Sequence, residues 1–369
     1  MLWRSFQAKI FWESGKIFSI FFLLVVFLRM KKEKLEGKTG ILFICLLLPS
    51  IIVLDEFSLS NISHSISGPF LIGTSILVFS HVRINQDLFL KMLYWMLLPI
   101  ISFFIISNYH TILSGSFNYY SAYINRIETA GIGPNQASNI LGLGSLLSFF
   151  IAILLRNNYG SIFKIIGILT IIQTILTHSR GGFWNTVFAI LIFYTFQLSS
   201  KNSKIKLLTR ATSLILLFYF LLFPFLDGIS RGSVYERFTN FDIRSRENII
   251  ESELYAFSEN PLLGIGPGSG RDFRNKNYDN YRHSHTEYTR LIAEHGSFGI
   301  LAIFVLLLNL FRALNKTSKL ERSISTALLI WGLLFLSHSA TRLAAPCIFI
   351  GFSNSRIKFN KTMDFQLKF

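Results

Sequence analysis

Two histidines separated by one residue, His283 and His285, lie in a polar stretch of an otherwise hydrophobic chain. An imidazole with an ordinary pKa near ~6.5 is largely neutral at pH 7 and can take a proton from a hydroxyl group. Metal binding and an exposed histidine without a role are the alternatives, but the nearby Asp279 and Glu287 follow no zinc spacing. We therefore predict that His285 is a general base, that His283 binds substrate, and that no metal or other cofactor takes part.

The residues after His285 have the pattern of a short helix that spans 286–295 and is followed by a glycine. Arg290 is spaced to pair with Glu287 and Glu294 on one face of this helix. His285 would then stand at the helix N-terminus, where the helix dipole lowers the pKa of an imidazole and favours the neutral base.

Arginine dominates the polar segment 227–297, which contains eight Arg and one Lys. A guanidinium group binds two phosphate oxygens at once, so this bias indicates a phosphorylated or otherwise anionic ligand. We predict that Arg282 and Arg290 bind it. The alternative is that the arginines form ion pairs with carboxylates of the same segment, such as Glu253.

Two further arginines lie beside apolar runs. Arg180 falls between two runs with almost no loop, and Arg126 precedes a Gly and Pro-rich break at residues 131–135. A charge near membrane depth is costly and indicates function, with snorkelling or a structural ion pair as the alternative. We predict that both arginines act on the anionic ligand and that Asn135 and Tyr288 also bind substrate.

Four glycines follow one another at a spacing of two residues: Gly264, Gly266, Gly268 and Gly270. A phosphate-binding loop would require Gly-Lys-Ser/Thr at the start of a helix, and this stretch has neither that motif nor a surrounding βαβ unit. We predict a tight turn. The alternative is that its backbone N–H groups face an anion.

The composition indicates a membrane protein. Of 369 residues, 51% are hydrophobic and 15% are charged, against roughly 25% charged residues in soluble domains. Long apolar runs without alternation favour helices over a barrel. We predict an all-α polytopic membrane protein with about 11–12 transmembrane helices.

The short loops alternate between Lys-rich and Lys-poor, and this alternation predicts the topology. The net charge of +16 then reflects Lys-rich loops in the cytoplasm rather than a nucleic-acid site. Arg4, Lys9 and Lys16 are exceptions to this pattern. We predict transmembrane helices in 1–226 and 298–353, an outward-facing catalytic loop with short surface helices at 227–297, and a basic cytoplasmic tail at 354–369.

The segment from Asn260 to Gly299 resembles the signature region of the bacterial O-antigen ligase and O-antigen polymerase superfamily. In that family a His and a small polar residue stand nine residues before Gly-x-x-Gly. His285-Thr286 and Gly296-Ser297-Phe298-Gly299 keep this spacing, with Thr286 in place of the more usual Asn, Ser or Gln. The surroundings of Arg126, Arg180 and Arg246 are similar to further family elements, and the resemblance implies that these three arginines neutralise an anionic diphosphate ligand.

The resemblance implies metal-independent glycosyl transfer at the periplasmic face of the bacterial inner membrane. The donor would be a glycan on undecaprenyl diphosphate. The acceptor would be a sugar hydroxyl of lipid A–core in a ligase, which we favour, or of a second lipid-linked repeat in a polymerase. A flippase or transporter is the alternative from another class, but it would place charges inside the spans. A structural scaffold would leave the arginine bias unexplained.

Overall fold

A computed structural model describes residues 19–21, 23–25, 37–53, 67–113, 133–155, 158–198, 223–229, 244–278, 284, 286–338 and 343–359, with isolated positions between 205 and 238. Its helices are α1 Gly37–Ile52, α2 Ser67–His81, α3 Gln86–Leu113, α4 Pro134–Leu155, α5 Asn158–Leu176, α6 Arg180–Gln197, α7 Phe223–Ile229, α8 Arg244–Glu259, α9 Gly270–Tyr278, α10 Glu287–Leu314, α11 Lys319–Leu336 and α12 Ala344–Phe352. Two short strands, β1 Arg83–Asn85 and β2 Arg356–Lys358, form a two-stranded sheet.

The chain is an all-α polytopic membrane protein, as the sequence predicts. Within the described residues, four helices are long and apolar enough to cross a membrane: Gln86–Tyr109, Pro134–Leu155, Tyr159–Leu176 and Glu287–Leu314. At 1.5 Å per residue, the 22 residues of α4 extend about 33 Å, which matches a hydrocarbon core of about 30 Å. The total of 11–12 spans and the domain boundaries remain predictions.

The chain divides into two compact units. One unit, hereafter the α4 unit, comprises residues 84–241, 317–327 and 357–369. The other, hereafter the α10 unit, comprises residues 1–83, 242–316 and 328–356.

The helix α4 forms the centre of its unit and packs against α3, α5 and α6. Small residues allow α4 and α6 to approach closely. A Cβ atom at Gly182 would overlap Ser138, and a Cβ atom at Gly142 would overlap the Thr186 hydroxyl. This pairing of small residues four positions apart on each helix is typical of helix contacts in membranes, where close backbone approach provides most of the packing energy.

In the α10 unit, α10 packs against α1 and α8, while α2 packs against α12 and α8 against α9. The backbone of α10 breaks at Gly296, where φ is 60° and ψ is −138°. The segment before the break carries the polar residues, and the segment after it is the apolar part of the span. The prediction of a helix over 286–295 followed by a glycine is therefore confirmed.

Candidate active site

Arg180 is the first residue of α6 and is half-buried. Only Thr177, His178 and Ser179 separate it from the end of α5. The chain reverses there because His178 adopts a left-handed conformation with φ of 55°, and its N–H donates to the carbonyl of Ile175 over 2.9 Å. A left-handed non-glycine residue is uncommon and is held in place by its surroundings.

Asn135 is hydrogen bonded to Ser179, the residue that directly precedes Arg180. The Ser179 hydroxyl donates to Asn135 Oδ1 over 2.9 Å rather than to the first turn of α6. Farther along the same contact, Ser138 Oγ donates to the carbonyl of Ser179 over 3.1 Å. The structure thus brings two of the predicted site residues, Arg180 and Asn135, to the ends of two helices that hydrogen bonds fix to each other.

In the α10 unit, Thr286 caps the helix that follows His285. Thr286 Oγ1 accepts from the N–H of Thr289 over 3.2 Å and lies 2.6 Å from Thr289 Oγ1. Ser284 Oγ donates to the carbonyl of Thr286 over 2.8 Å. The residues on both sides of His285 therefore have defined hydrogen bonds.

Glu253 of α8 lies beneath this cap and is 2% exposed. Its Oε2 accepts from Thr289 Oγ1 over 2.5 Å, and its Oε1 forms an ion pair with Arg274 Nη1 of α9 over 2.9 Å. One carboxylate thus joins α8, α9 and the start of α10. The sequence suggests Glu253 only as an ion-pair partner, whereas in the structure it also contacts Thr289, close to the segment around His285.

A pattern in the sequence could have indicated that Glu253 faces inward. Ile249 and Ala256, four residues before it and three after it, are both buried against the same side of α8. At helical spacing these three positions lie on one face, where a carboxylate is unexpected.

Burial raises the pKa of the Glu253 carboxyl group above its ordinary value of 4.5. Hydrogen bonds from Thr289 and Ser284 and the charge of Arg274 oppose this rise, whereas the charge of Glu294 adds to it. The effect of burial dominates because a charged carboxylate loses most of its hydration when it is removed from water.

Arg290 is 4% exposed and lies between two carboxylates. It forms an ion pair with Glu287, three residues before it, and its Nη1 lies 3.6 Å from Glu294 Oε2. The predicted helical pairing of these residues is confirmed. Its predicted role as a substrate ligand remains a prediction, and two protein carboxylates already contact the guanidinium.

Tyr288 is partly buried and donates from its hydroxyl to the carbonyl of Leu333 on α11 over 2.6 Å. This bond ties α10 to α11. Substrate binding by Tyr288 remains a prediction, and the described contact of its hydroxyl is with the protein.

The glycine-rich segment forms a tight turn that covers the break in α10. Gly264, Gly266 and Gly268 have φ values of 74°, 89° and 83°. The N–H groups of Ile265 and Gly266 donate to the carbonyls of Ala293 and Glu294 over 3.0 and 3.2 Å. The structure therefore supports the prediction of a turn, since these two N–H groups bind protein carbonyls rather than an anion.

Several predicted site residues lie outside the part of the chain that the structure describes. They are Arg126, Arg282, His283 and His285. The backbone of Arg246 lies in the first turn of α8, and its side chain is also outside the described part. Their roles remain predictions.

Metal-ligating side chains do not gather in the part of the chain that the structure describes. There, no group of three or more His, Cys, Asp and Glu residues is placed to hold a metal ion. The absence of a metal or cofactor from the reaction remains a prediction.

Residues 165–304 match the family model described as O-antigen ligase. No curated protein matches the chain. The matched region includes Arg180, α8, the glycine turn and the first part of α10. This part of the chain is therefore similar to an O-antigen ligase domain, and the similarity supports glycan transfer of the ligase or polymerase type as the class of activity.

Proposed function

We propose that this protein belongs to the O-antigen ligase and polymerase superfamily and is a ligase, which moves a glycan from undecaprenyl diphosphate to a sugar hydroxyl of lipid A–core. The family match over residues 165–304 supports glycan transfer of the ligase or polymerase type, and the choice of a ligase is part of the proposal. The conformation of the histidine motif agrees with it. The nine residues between Thr286 and Gly296 are one helical segment, which Thr286 caps and Gly296 ends.

In the proposed reaction, neutral His285 takes the proton of the acceptor hydroxyl. The acceptor oxygen forms a bond to the anomeric carbon of the donor sugar, and the bond from that carbon to the phosphate oxygen breaks. Undecaprenyl diphosphate leaves with the electron pair. The proton remains on His285 until solvent or product removes it.

Arg126, Arg180 and Arg246 are proposed to neutralise the charge that develops on the leaving diphosphate. Guanidinium groups stabilise phosphate oxygens by paired, charge-assisted hydrogen bonds, so the reaction requires no metal ion. The position of Arg180 supports this role. It stands at the N-terminus of an 18-residue helix, whose dipole adds positive potential at the same end.

The proposed location is the bacterial inner membrane, with the site facing the periplasm. This orientation rests on the Lys-rich loops, which the positive-inside rule assigns to the cytoplasm. It is also the side on which a completed lipid-linked glycan would meet lipid A–core. Asn135, Arg282 and His283 are proposed to bind the sugar and phosphate groups of the substrate.

The first experiment is a lipopolysaccharide gel of the native host with this gene deleted. The deletion strain is complemented with the wild-type gene, with His285→Ala or with the control His81→Ala, whose Nδ1 contacts the carbonyl of Leu77 at the end of α2. A ligase predicts bare core and glycan retained on the carrier in the deletion and in the His285→Ala strain. The His81→Ala strain should make normal lipopolysaccharide.

Two other gel patterns would change the conclusion. Core that carries a single repeat would identify a polymerase in place of a ligase. Normal lipopolysaccharide in the deletion strain would contradict both. An active His285→Ala protein, present in the membrane at the wild-type amount, would remove His285 as the base.

Arg180→Lys tests the leaving-group role. Lysine keeps the charge but loses the planar pair of donors, so we expect a drop of about tenfold or more in the rate of transfer. Arg83→Lys, at an exposed position in β1, is the matched control and should retain the wild-type rate. Equal rates for the two variants would contradict the role of Arg180.

A further inference from the structure

Glu253 occupies a position in α8 where an apolar residue would be expected. It is 2% exposed, and its neighbours on the same helix face, Ile249 and Ala256, are 1% exposed each. A buried carboxylate is costly unless hydrogen bonds and ion pairs compensate for its lost hydration. The groups that contact its two carboxyl oxygens therefore indicate the role of Glu253.

The two oxygens of Glu253 have different partners. Oε1 lies 2.9 Å from Arg274 Nη1, which is itself 2% exposed. Oε2 accepts from Thr289 Oγ1, and Thr289 Oγ1 in turn lies 2.6 Å from Thr286 Oγ1. The contact of Oε1 is enough for the ion pair with Arg274. The contact of Oε2 with Thr289 links Glu253 further to Thr286, the residue that directly follows His285.

Ser284, the residue that directly precedes His285, is tied to the same carboxyl group. Its hydroxyl is hydrogen bonded to Glu253, and it also donates to the carbonyl of Thr286 over 2.8 Å. A serine hydroxyl has one proton, which Ser284 can donate either to the Glu253 carboxylate or to the Thr286 carbonyl, and its bond to Glu253 opposes the rise in the pKa of that carboxyl group.

We propose that Glu253 is the positioning residue of the proposed base: its carboxyl group holds Ser284 and Thr286, the chain neighbours of His285 on either side. Arg274 holds Glu253 in turn from α9. This inference rests on the proposed function, because it assigns to Glu253 the task of orienting the segment that carries His285. Misplacement of a reacting group by about 1 Å can cost about a hundredfold in rate.

The experiment uses the full-length protein in detergent or nanodiscs, with an undecaprenyl-diphosphate-linked glycan as donor and lipid A–core as acceptor. The rate constant kcat, the KM for the acceptor and the pH profile of kcat are measured for Thr289→Val, Thr289→Ser and Glu253→Gln. Thr289→Val removes the hydroxyl between Glu253 and Thr286 at nearly constant volume. Thr289→Ser keeps that hydroxyl.

We expect kcat to fall about tenfold to a hundredfold in Thr289→Val and in Glu253→Gln, with KM changed less than about twofold. Thr289→Ser should retain the wild-type kcat. The acidic limb of the pH profile should move in the two impaired variants, because the base loses its fixed surroundings. A general loss of folded protein would lower the rate in proportion and leave the shape of the profile unchanged.

Glu259→Gln is the matched control. Glu259 is an exposed carboxylate on the same helix and also accepts from a hydroxyl group, that of Tyr255, over 2.9 Å. It should retain wild-type kcat, KM and pH profile. If Glu253→Gln does not fold, the comparison of Thr289→Val with Thr289→Ser decides the question.

A wild-type kcat and pH profile in Thr289→Val would overturn the inference. His285→Ala, measured in the same assay, separates this failure from a failure of the proposed function. An inactive His285→Ala beside a fully active Thr289→Val would refute only the positioning role. An active His285→Ala would refute the base assignment, whatever the Glu253 variants show.

Discussion

Asn185 of α6 donates from its side-chain amide to Asn139 Oδ1 of α4 over 2.8 Å. Both residues are buried, and Asn139 also donates to the carbonyl of Asn135, four residues before it. The amide pair therefore fixes α6, which begins with Arg180, to the end of α4 that carries Asn135. Polar pairs of this kind set the register of helices in a membrane, where apolar surfaces alone give little specificity.

The amide pair predicts a measurable coupling. We expect Asn139→Ala and Asn185→Ala to destabilise the protein individually, and the double variant by less than the sum of the two. The coupling energy should be about 0.6 kcal/mol, the average for hydrogen bonds between membrane helices, and at most about 1.7 kcal/mol. Unfolding in mixed micelles measures all four members of the cycle, and strict additivity would show that the two amides do not interact.

Gly182 predicts the cost of separating α4 from α6. A Cβ atom there would lie 2.5 Å from the backbone carbonyl carbon of Ser138, so alanine must push the helices apart. We expect Gly182→Ala to lower the free energy of unfolding by about 1–3 kcal/mol. Transfer activity should fall as well, since Arg180 begins the displaced helix.

Gly228→Ala provides the control for Gly182→Ala. Nothing lies within 4 Å of a Cβ atom at Gly228, which is in helix α7. Because glycine is a poor helix former, we expect this variant to be as stable as the wild type or more stable by about 0.5–1 kcal/mol. Equal losses at both glycines would mean that the predicted overlap at Gly182 has no energetic effect.

Gly264 and Gly232 separate backbone strain from steric overlap. Both have positive φ, 74° and 87°, but a Cβ atom at Gly264 would lie 2.4 Å from the carbonyl carbon of Glu294, while nothing lies within 4 Å at Gly232. We expect Gly232→Ala to cost about 1–2 kcal/mol from strain alone. Gly264→Ala should cost about 1–3 kcal/mol more and reduce transfer activity. Thermal unfolding and the transfer assay measure both effects, and equal costs would contradict the overlap.

Glu253 predicts a pH dependence of stability with a defined sign. Because its folded pKa is raised, the folded protein binds more protons than the unfolded chain at pH values above 4.5. Stability attributable to this group therefore falls as pH rises from 4.5 through the raised folded pKa, and it is lowest above that value. Glu253→Gln does not titrate, so its unfolding temperature should fall less between pH 5 and pH 8. A slope equal to that of the wild type would contradict the burial effect.

Local spacing was enough to predict several parts of the structure. The helix over 286–295, its end at a glycine and the pairing of Arg290 with Glu287 and Glu294 all follow from contacts within one or two turns. The position of Arg180 between two helices likewise follows from the neighbouring apolar runs. Periodicity, capping and ion-pair spacing operate over this range.

Contacts between distant residues could not be predicted in the same way. Glu253 and Thr289 are 36 residues apart, and Asn139 and Asn185 are 46 apart. The sequence around each of these residues does not indicate which other helix its side chain contacts. The spacing of Gly264 and Gly266 predicted a turn. The carbonyls that accept the N–H groups of this turn, those of Ala293 and Glu294, depend on how α8 and α10 pack and could not be predicted from that spacing.

The glycine turn also has a consequence for biosynthesis. Ile265 and Gly266 leave the ribosome almost thirty residues before Ala293 and Glu294, whose carbonyls accept their N–H groups. A nascent chain that has grown only to residue 290 cannot close this turn, and Ser297, whose N–H donates to Pro261, has not yet been added. The hydrogen bonds of the polar segment can therefore form only after the first half of α10 has been translated. A truncated chain that stops short of that helix would reach the membrane without a finished site.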